Sequence, residues 1–214
     1  MVKIATLVEK AMGNKQDERP TEYSFVFQCL TPLLAVPKKL RKEIWILDIG
    51  CAESHLSKVL ADLGFTVFGI DINDWKTGKA SFIKADFLKY DFKGMRFDVT
   101  IAISTIEHIG LPAYGYNKFV PDGDLKAMVK MYNLTKKGGI AIVTVPYGTP
   151  HHPPYFERVY NPATLERLLT IRPWEVIRLE YAMYCDELGK WRKADPDEAL
   201  FHDAVAMALL RKEG

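Results

Sequence analysis

The sequence predicts an α/β fold: a doubly wound, mostly parallel sheet with an antiparallel edge strand. Three observations carry that prediction. Between residues 43 and 146, short apolar runs alternate with stretches of helical period. The run at 97–103 is apolar almost throughout, as a parallel strand covered on both faces should be. The last two apolar runs, 175–181 and 204–210, have no long helical stretch between them, so they are expected to pair as an antiparallel hairpin at the sheet edge.

The elements follow in order. Ile4, Leu7, Val8 and Ala11 recur at helical spacing and predict a first helix ending at Gly13. Residues 14–19 are polar and read as a loop. Pro20 suits a helix start, Tyr23, Val26, Phe27 and Leu30 form one stripe, and Pro32 is expected to stop the segment. The basic run Lys38-Lys39-Leu40-Arg41-Lys42 reads as a solvated loop rather than an anion site. A strand at 44–49 then meets the small-residue turn Gly50-Cys51-Ala52-Glu53-Ser54. Ser54 is expected to cap a helix whose face is Leu56, Val59, Leu60 and Leu63 and which Gly64 ends. Strands are expected at 66–70, 81–85 and 97–103. The link after Asp71 is too short for the usual helix.

Asp122 or Asp124 is expected to cap a helix bearing Leu125, Met128, Val129 and Tyr132. Gly138-Gly139 turns the chain into a strand at 140–145, which Pro146 should stop. Asn161-Pro162 opens a helix with Leu165, Leu168 and Leu169 on one side, and Asp195-Pro196 marks a loop or a turn with a short helix. The whole reads as one domain over 1–214: a helical cap at 1–40, a core at 44–146, and a loop with the final strands at 147–214.

A net charge of +2 gives no basic stripe for nucleic acid. Three cysteines without paired spacing fit a reducing compartment, and neither a CxxC nor an HExxH pair signals a metal. Asp122 and Asp124 with a distant histidine could hold a divalent ion, but helix capping explains them more simply. No apolar run reaches membrane-spanning length, and a cytoplasmic protein is the expectation. Oligomeric state is open.

The turn after the first strand carries the functional signal. Ligands of such sheets bind beyond the carboxyl ends of the strands. Gly50, Ala52 and Ser54 allow close approach to the backbone. Asp71, about twenty residues on, could accept both hydroxyls of a ribose. A dinucleotide would want G-x-G-x-x-G, whereas here Glu53 sets an anion where a pyrophosphate would rest. A cationic sulfonium tolerates nearby acids such as Asp48 and Glu53. The alternatives at this point are S-adenosylmethionine, a dinucleotide, or a purely structural turn.

Five segments in order resemble the class I S-adenosylmethionine-dependent methyltransferases, with a Rossmann-like fold. They are ILDIGCAES at 46–54, GIDI at 69–72, KADF at 84–87, STIEHI at 104–109 and KKGGIAIVTVP at 136–146. The resemblance implies that Asp48 and Gly50 lie near the methionine portion, with Ala52 where many members have a second glycine. It implies that Asp71 binds the ribose with Ile72 packing on adenine, that Asp86 accepts from the adenine amino group beside Phe87, and that Ser104 flanks the methionyl moiety. The flanking ERPTEYSFVF and IEHIGLPAYG look like small microbial members associated with glycan or cell-surface biosynthesis. In that comparison Arg19 and Tyr23 close over the cofactor, Arg19 on its carboxylate; the plainer reading is a surface arginine and a core tyrosine.

Methyl transfer to a hydroxyl needs a base. Glu107 and His108 follow the fourth strand on the ligand side, and His108 reads as a base or as a packing residue at a helix start. His151 and His152, in a proline-rich loop after the fifth strand, supply a base or face solvent. Tyr114, Tyr116, Tyr147, Tyr155, Phe156 and Tyr160 fall in the same loops and could stack on a ring or cover the sheet. The function expected is S-adenosylmethionine-dependent transfer to a small-molecule or glycan-like acceptor, at oxygen; the alternative is a non-catalytic cofactor-binding sensor or assembly protein.

Overall fold

The computed structural model describes residues 3–12, 17–150 and 156–213. One eight-stranded sheet runs in the order β3-β2-β1-β4-β5-β8-β6-β7. Its strands are β1 (Trp45–Ile49), β2 (Thr66–Asp71), β3 (Ser81–Lys84), β4 (Phe97–Ile103), β5 (Thr135–Tyr147), β6 (Trp174–Cys185), β7 (Lys190–Ala194) and β8 (Ala204–Lys212). The first five pair in parallel, whereas β8 is antiparallel to β5 and β6, and β7 antiparallel to β6. The predicted fold class is the observed one, with three antiparallel strands beyond β5 rather than two.

Helices cover both faces. On one side α1 (Ile4–Met12), α2 (Arg19–Cys29) and α4 (Leu56–Asp62) pack Leu7, Val26, Phe27 and Leu60 against Ile46, Val67, Val99 and Ile101. On the other, α5 (Gly123–Leu134) and α6 (Pro162–Thr170) pack Met128, Met131, Leu165 and Leu168 against Leu47, Ile49, Ile70 and Val143. The pleat sorts β1: Ile46 and Asp48 face the first group, Leu47 and Ile49 the second. The short α3 (Thr31–Leu34) and α7 (Pro196–Ala199) complete the α-helices among the described residues.

Several local readings change. Pro32 does not stop the second helix; it sits in the first turn of α3, where its missing N–H costs nothing. The basic run forms a 3₁₀ turn, Lys38–Glu43. Gly138-Gly139 makes a bulge within β5, between the pairs Phe97–Thr135 and Val99–Ile140, and not a turn before it. Pro146 lies inside β5, beyond the last pair with β4, so its lost N–H leaves no β4 carbonyl wanting. Neither acid caps α5 by its side chain: Asp122 stands at the N-cap with left-handed backbone and pairs with Arg167, and Asp124 turns inward. The Ser54 hydroxyl accepts the nearby Leu56 N–H, His55 taking the N-cap position of α4. Asn161 caps α6 in a reciprocal box with Thr164, as expected.

Candidate functional site

Strand order reverses between β1 and β4, and a cleft opens there beyond the strand ends. Of the residues singled out from the sequence, Arg19, Gly50, Ala52, Asp71, Ile72, Asp86, Phe87, Ser104 and His108 line it. Glu53, Asn73, Thr105, Ile109, Tyr114 and Tyr116 join them.

The β1 turn is built by close packing. Gly50 takes φ +71°, and a Cβ there would meet the Thr105 side chain at 2.2 Å. Gly69 of β2 is equally constrained, because a Cβ would meet Cys51 Sγ at 2.7 Å. The Gly50 N–H donates to the Ile70 carbonyl at 2.9 Å, binding the turn to β2. Five non-glycine residues take positive φ among the described residues, and three of them, Glu53, Ser104 and Tyr114, line the cleft. Such strain concentrates where a site needs a fixed shape.

Asp71 closes the same turn, its two oxygens accepting the N–H groups of Ala52 and Asn73. Asp86 accepts the Leu88 N–H at 2.9 Å and pairs with Lys89 at 2.8 Å. Partial burial works against its charge, and the Lys89 ammonium outweighs that, holding the carboxyl below its usual range. Three acids, Glu53, Asp71 and Asp86, therefore line the cleft with one guanidinium, Arg19.

Three of the residues expected to hold the cofactor do not line the cleft. Asp48 sits at the end of β1, but the pleat sends its carboxyl under α4, where the Ser57 hydroxyl donates to it at 2.6 Å. Burial, only partly relieved by Ser57, pushes its pKa up to about 7. Tyr23 is in the core, its phenol pushed up to about 12 by burial. Ser54 is buried in the turn. Of the Arg19–Tyr23 pair, only the arginine reaches the cleft.

His108 stands in a 3₁₀ turn, Ile106–His108, just beyond β4. Its Nδ1 lies 2.8 Å from the Phe156 carbonyl, which can only accept, so Nδ1 carries the proton. Burial lowers its pKa, outweighing the Phe156 hydrogen bond, and the neutral ring keeps its lone pair on Nε2. Tyr114 and Phe156, both half-exposed, pack on the imidazole at centroid distances of 5.0 and 4.8 Å. Glu107 is buried, Oε1 3.6 Å from Nε2, and burial raises its pKa well above the carboxylate range. His151, His152 and Tyr155 lie outside the described residues. Tyr147 and Tyr160 are buried and cover the sheet, whereas Tyr116 meets Lys89 at the cleft.

Sequence reasoning missed two residues that shape the cleft. Arg158 donates to the Glu107 and Ile109 carbonyls at 3.0 and 2.9 Å and pairs with Asp124 at 3.6 Å, clasping the turn that carries His108. Glu22 of α2 accepts from Ser104 and Thr144 at 2.6 and 2.5 Å. The one available signal for Glu22 was its position four residues before Val26, an acid on an apolar helix face. Among the described residues no cluster of potential metal ligands forms, and no helix is long and apolar enough to cross a membrane.

Known proteins resemble this chain in sequence and in fold. A ubiquinone biosynthesis O-methyltransferase of Rhizobium leguminosarum bv. trifolii is 28% identical over 65% of this chain, the match spanning 63% of that protein's length. One from Azorhizobium caulinodans is 25% identical over 75% of this chain and 70% of its own. Among solved structures, a SAM-dependent methyltransferase from Archaeoglobus fulgidus superposes with a TM-score of 0.58 at 20% identity, covering 88% of this chain and 93% of that one. A Burkholderia thailandensis 1,6-didemethyltoxoflavin N1-methyltransferase, solved with bound 1,6-didemethyltoxoflavin and S-adenosylhomocysteine, gives a TM-score of 0.57 at 13% identity, covering 91% of this chain and 88% of that one. Both structures share the fold. Residues 23–186, well over half the sequence, match the methyltransferase domain family, and the chain belongs to that family.

Proposed function

We propose that this protein transfers the methyl group of S-adenosylmethionine to a hydroxyl oxygen on a small, ring-bearing acceptor. One observation carries the reading: at the switch-point cleft, an acid-lined end adjoins a neutral histidine whose unprotonated nitrogen is Nε2. The residues fit the cofactor. Each Asp71 oxygen spends one lone pair on the backbone, which leaves capacity for two ribose hydroxyls. Asp86 retains room for an adenine amino group, with Ile72 and Phe87 beside it to pack on the ring. The three acids suit a sulfonium and repel a diphosphate. Arg19 suits a carboxylate.

When bound, the cofactor supplies a methyl on positively charged sulfur, already activated. The chain's own task is then to orient the acceptor, exclude water and take one proton. His108 receives that proton on Nε2 while Phe156 holds the ring by Nδ1. The Tyr114 and Phe156 rings favour a planar, apolar acceptor. The O-methyltransferase names of the curated relatives support oxygen as the nucleophile.

The test is turnover with a panel of ring hydroxyls and sugars, read as S-adenosylhomocysteine formed. Product with phenolic acceptors supports the reading. Product with sugars alone would return the acceptor to the carbohydrate class. Cofactor binding without turnover on any acceptor would point to a sensor, and preferential binding of NAD would overturn the cofactor.

A further inference from the structure

Arg19 Nε, Glu22 Oε2 and both Glu107 carboxyl oxygens are buried without a hydrogen-bond partner among the described residues. Of these side chains, Glu22 is the most connected. It is fully buried, comes from the N-terminal part of the chain, and reaches the ends of two central strands. Its Oε1 accepts the hydroxyls of Ser104, just past β4, and Thr144, near the end of β5. The Thr144 hydroxyl oxygen accepts the Ser104 N–H at 3.0 Å. The other oxygen, Oε2, faces Arg19 Nε at 3.7 Å, and Arg19 also donates to the Ile103 carbonyl at 3.4 Å.

Burying a carboxyl is expensive, and an apolar side chain would fill the space without that cost. What the acid provides is a junction. It ties the left-handed Ser104, at φ +41°, to β5 and to the guanidinium that lines the cleft. Burial pushes its own pKa up, and Arg19 acts first among the groups that oppose this. On the other side of the junction, Glu22 comes first among the groups that hold the Arg19 pKa up against burial.

We infer that Glu22 is a positioning residue for the amino-acid head of the cofactor. It sets Arg19 with Nε toward itself and one terminal nitrogen on Ile103, so the remaining nitrogen meets the head's carboxylate. It also fixes Ser104 alongside. Glu22 does not line the cleft and acts only through these two residues. The inference rests on the proposed cofactor.

The test compares two nucleosides by calorimetry: S-adenosylhomocysteine, and 5′-methylthioadenosine, which keeps the nucleoside and sulfur but lacks the amino-acid head. Glu22→Gln retains an acceptor for both hydroxyls and removes the charge facing Arg19. S-adenosylhomocysteine affinity is expected to fall about tenfold, as when a charge-assisted contact is misplaced, while methylthioadenosine affinity stays unchanged. Equal loss for both ligands, no loss, or a gain overturns the assignment. Thr144→Val, which removes one hydroxyl holding Glu22, should give a smaller loss of the same head-specific kind; it decides the matter if Glu22→Gln does not fold, and an equal or absent effect again overturns it. Wild-type protein that binds neither nucleoside overturns the cofactor reading itself, and this inference with it.

Discussion

The carboxylate of Asp71 accepts the backbone N–H of Ala52 at 2.9 Å, so the acid that ends β2 also builds the turn that ends β1. Turn geometry and the proposed ribose contact thus fall on one side chain, which takes the Asn73 N–H as well. The two strands lie side by side in parallel, from Trp45 beside Thr66 to Ile49 beside Ile70, and that register brings the turn within reach of the acid.

Asp71→Ala should therefore cost twice. Loss of the side-chain acceptors of two backbone N–H groups at a half-exposed turn is expected to lower stability by about 1 kcal/mol, read by urea unfolding. Loss of the ribose contact should weaken S-adenosylhomocysteine binding by about 1–3 kcal/mol, read by calorimetry. Unaltered binding would set the ribose elsewhere; unaltered stability would free the turn from Asp71.

His108 should leave its mark on the pH profile. Burial holds its pKa below 6.5, and only the neutral ring accepts a proton. Transfer should rise as pH increases through that lowered value and level off at a lower pH than for an ordinary histidine. His108→Ala should slow transfer by roughly 10²–10⁴ and abolish the acidic limb, with cofactor affinity nearly intact. A variant that keeps full activity would remove His108 from proton transfer.

The parts of the molecule legible in the sequence are those made by neighbours in the chain. The turn at Gly50 and the acid at Asp71 belong to one strand-turn-helix-strand unit, whose periodicity and small residues are visible without a structure. Glu22 gains its meaning from Ser104 and Thr144, and Arg158 from Glu107 and Asp124; nothing local to either residue announces those partners. Asp48 misled for a related reason. Its place at a strand tip suggested the ligand, but side-chain parity along β1 turned it to the helix face. Strand β7 was hidden because Lys-Trp-Arg-Lys-Ala is a charged sheet edge, where solvation suppresses the apolar signal.

That parity carries its own consequence for Asp48. Its folded pKa, about 7, lies above the ordinary 3.8, so the native state retains a proton that the unfolded chain releases. Stability from this group is complete below about pH 4 and is lost as pH rises through 7. Asp48→Asn keeps an oxygen for the Ser57 hydroxyl and removes the titration. The variant should match wild type near pH 4, exceed it by a few kcal/mol at pH 8 in urea unfolding, and bind S-adenosylhomocysteine about as well. Parallel stability curves would mean that Asp48 ionises without penalty, and a large loss of affinity would return it to the ligand.

Arg158 and Phe156 grip His108 from the same short segment. Phe156 supplies the carbonyl for Nδ1, and two residues later Arg158 donates to the carbonyls of Glu107 and Ile109 on either side of the histidine. The Arg158 backbone N–H adds a third bond, to Glu107, at 3.2 Å. Arg158→Lys preserves the charge, but one ammonium nitrogen cannot hold both carbonyls, as Nη1 does, and also face Asp124, as Nε does. It should lower kcat about tenfold with little change in cofactor affinity, because the imidazole loses its fixed aim while the Asp71 and Asp86 end of the cleft is untouched. Stability should drop by about 1 kcal/mol, from the weakened hold on the Ile109 carbonyl, the Glu107 carbonyl keeping the backbone N–H of residue 158. The discriminating measurement is the ratio of the two effects: if affinity for S-adenosylhomocysteine falls as far as kcat, Arg158 supports the cleft as a whole, and His108 does not depend on it for its orientation.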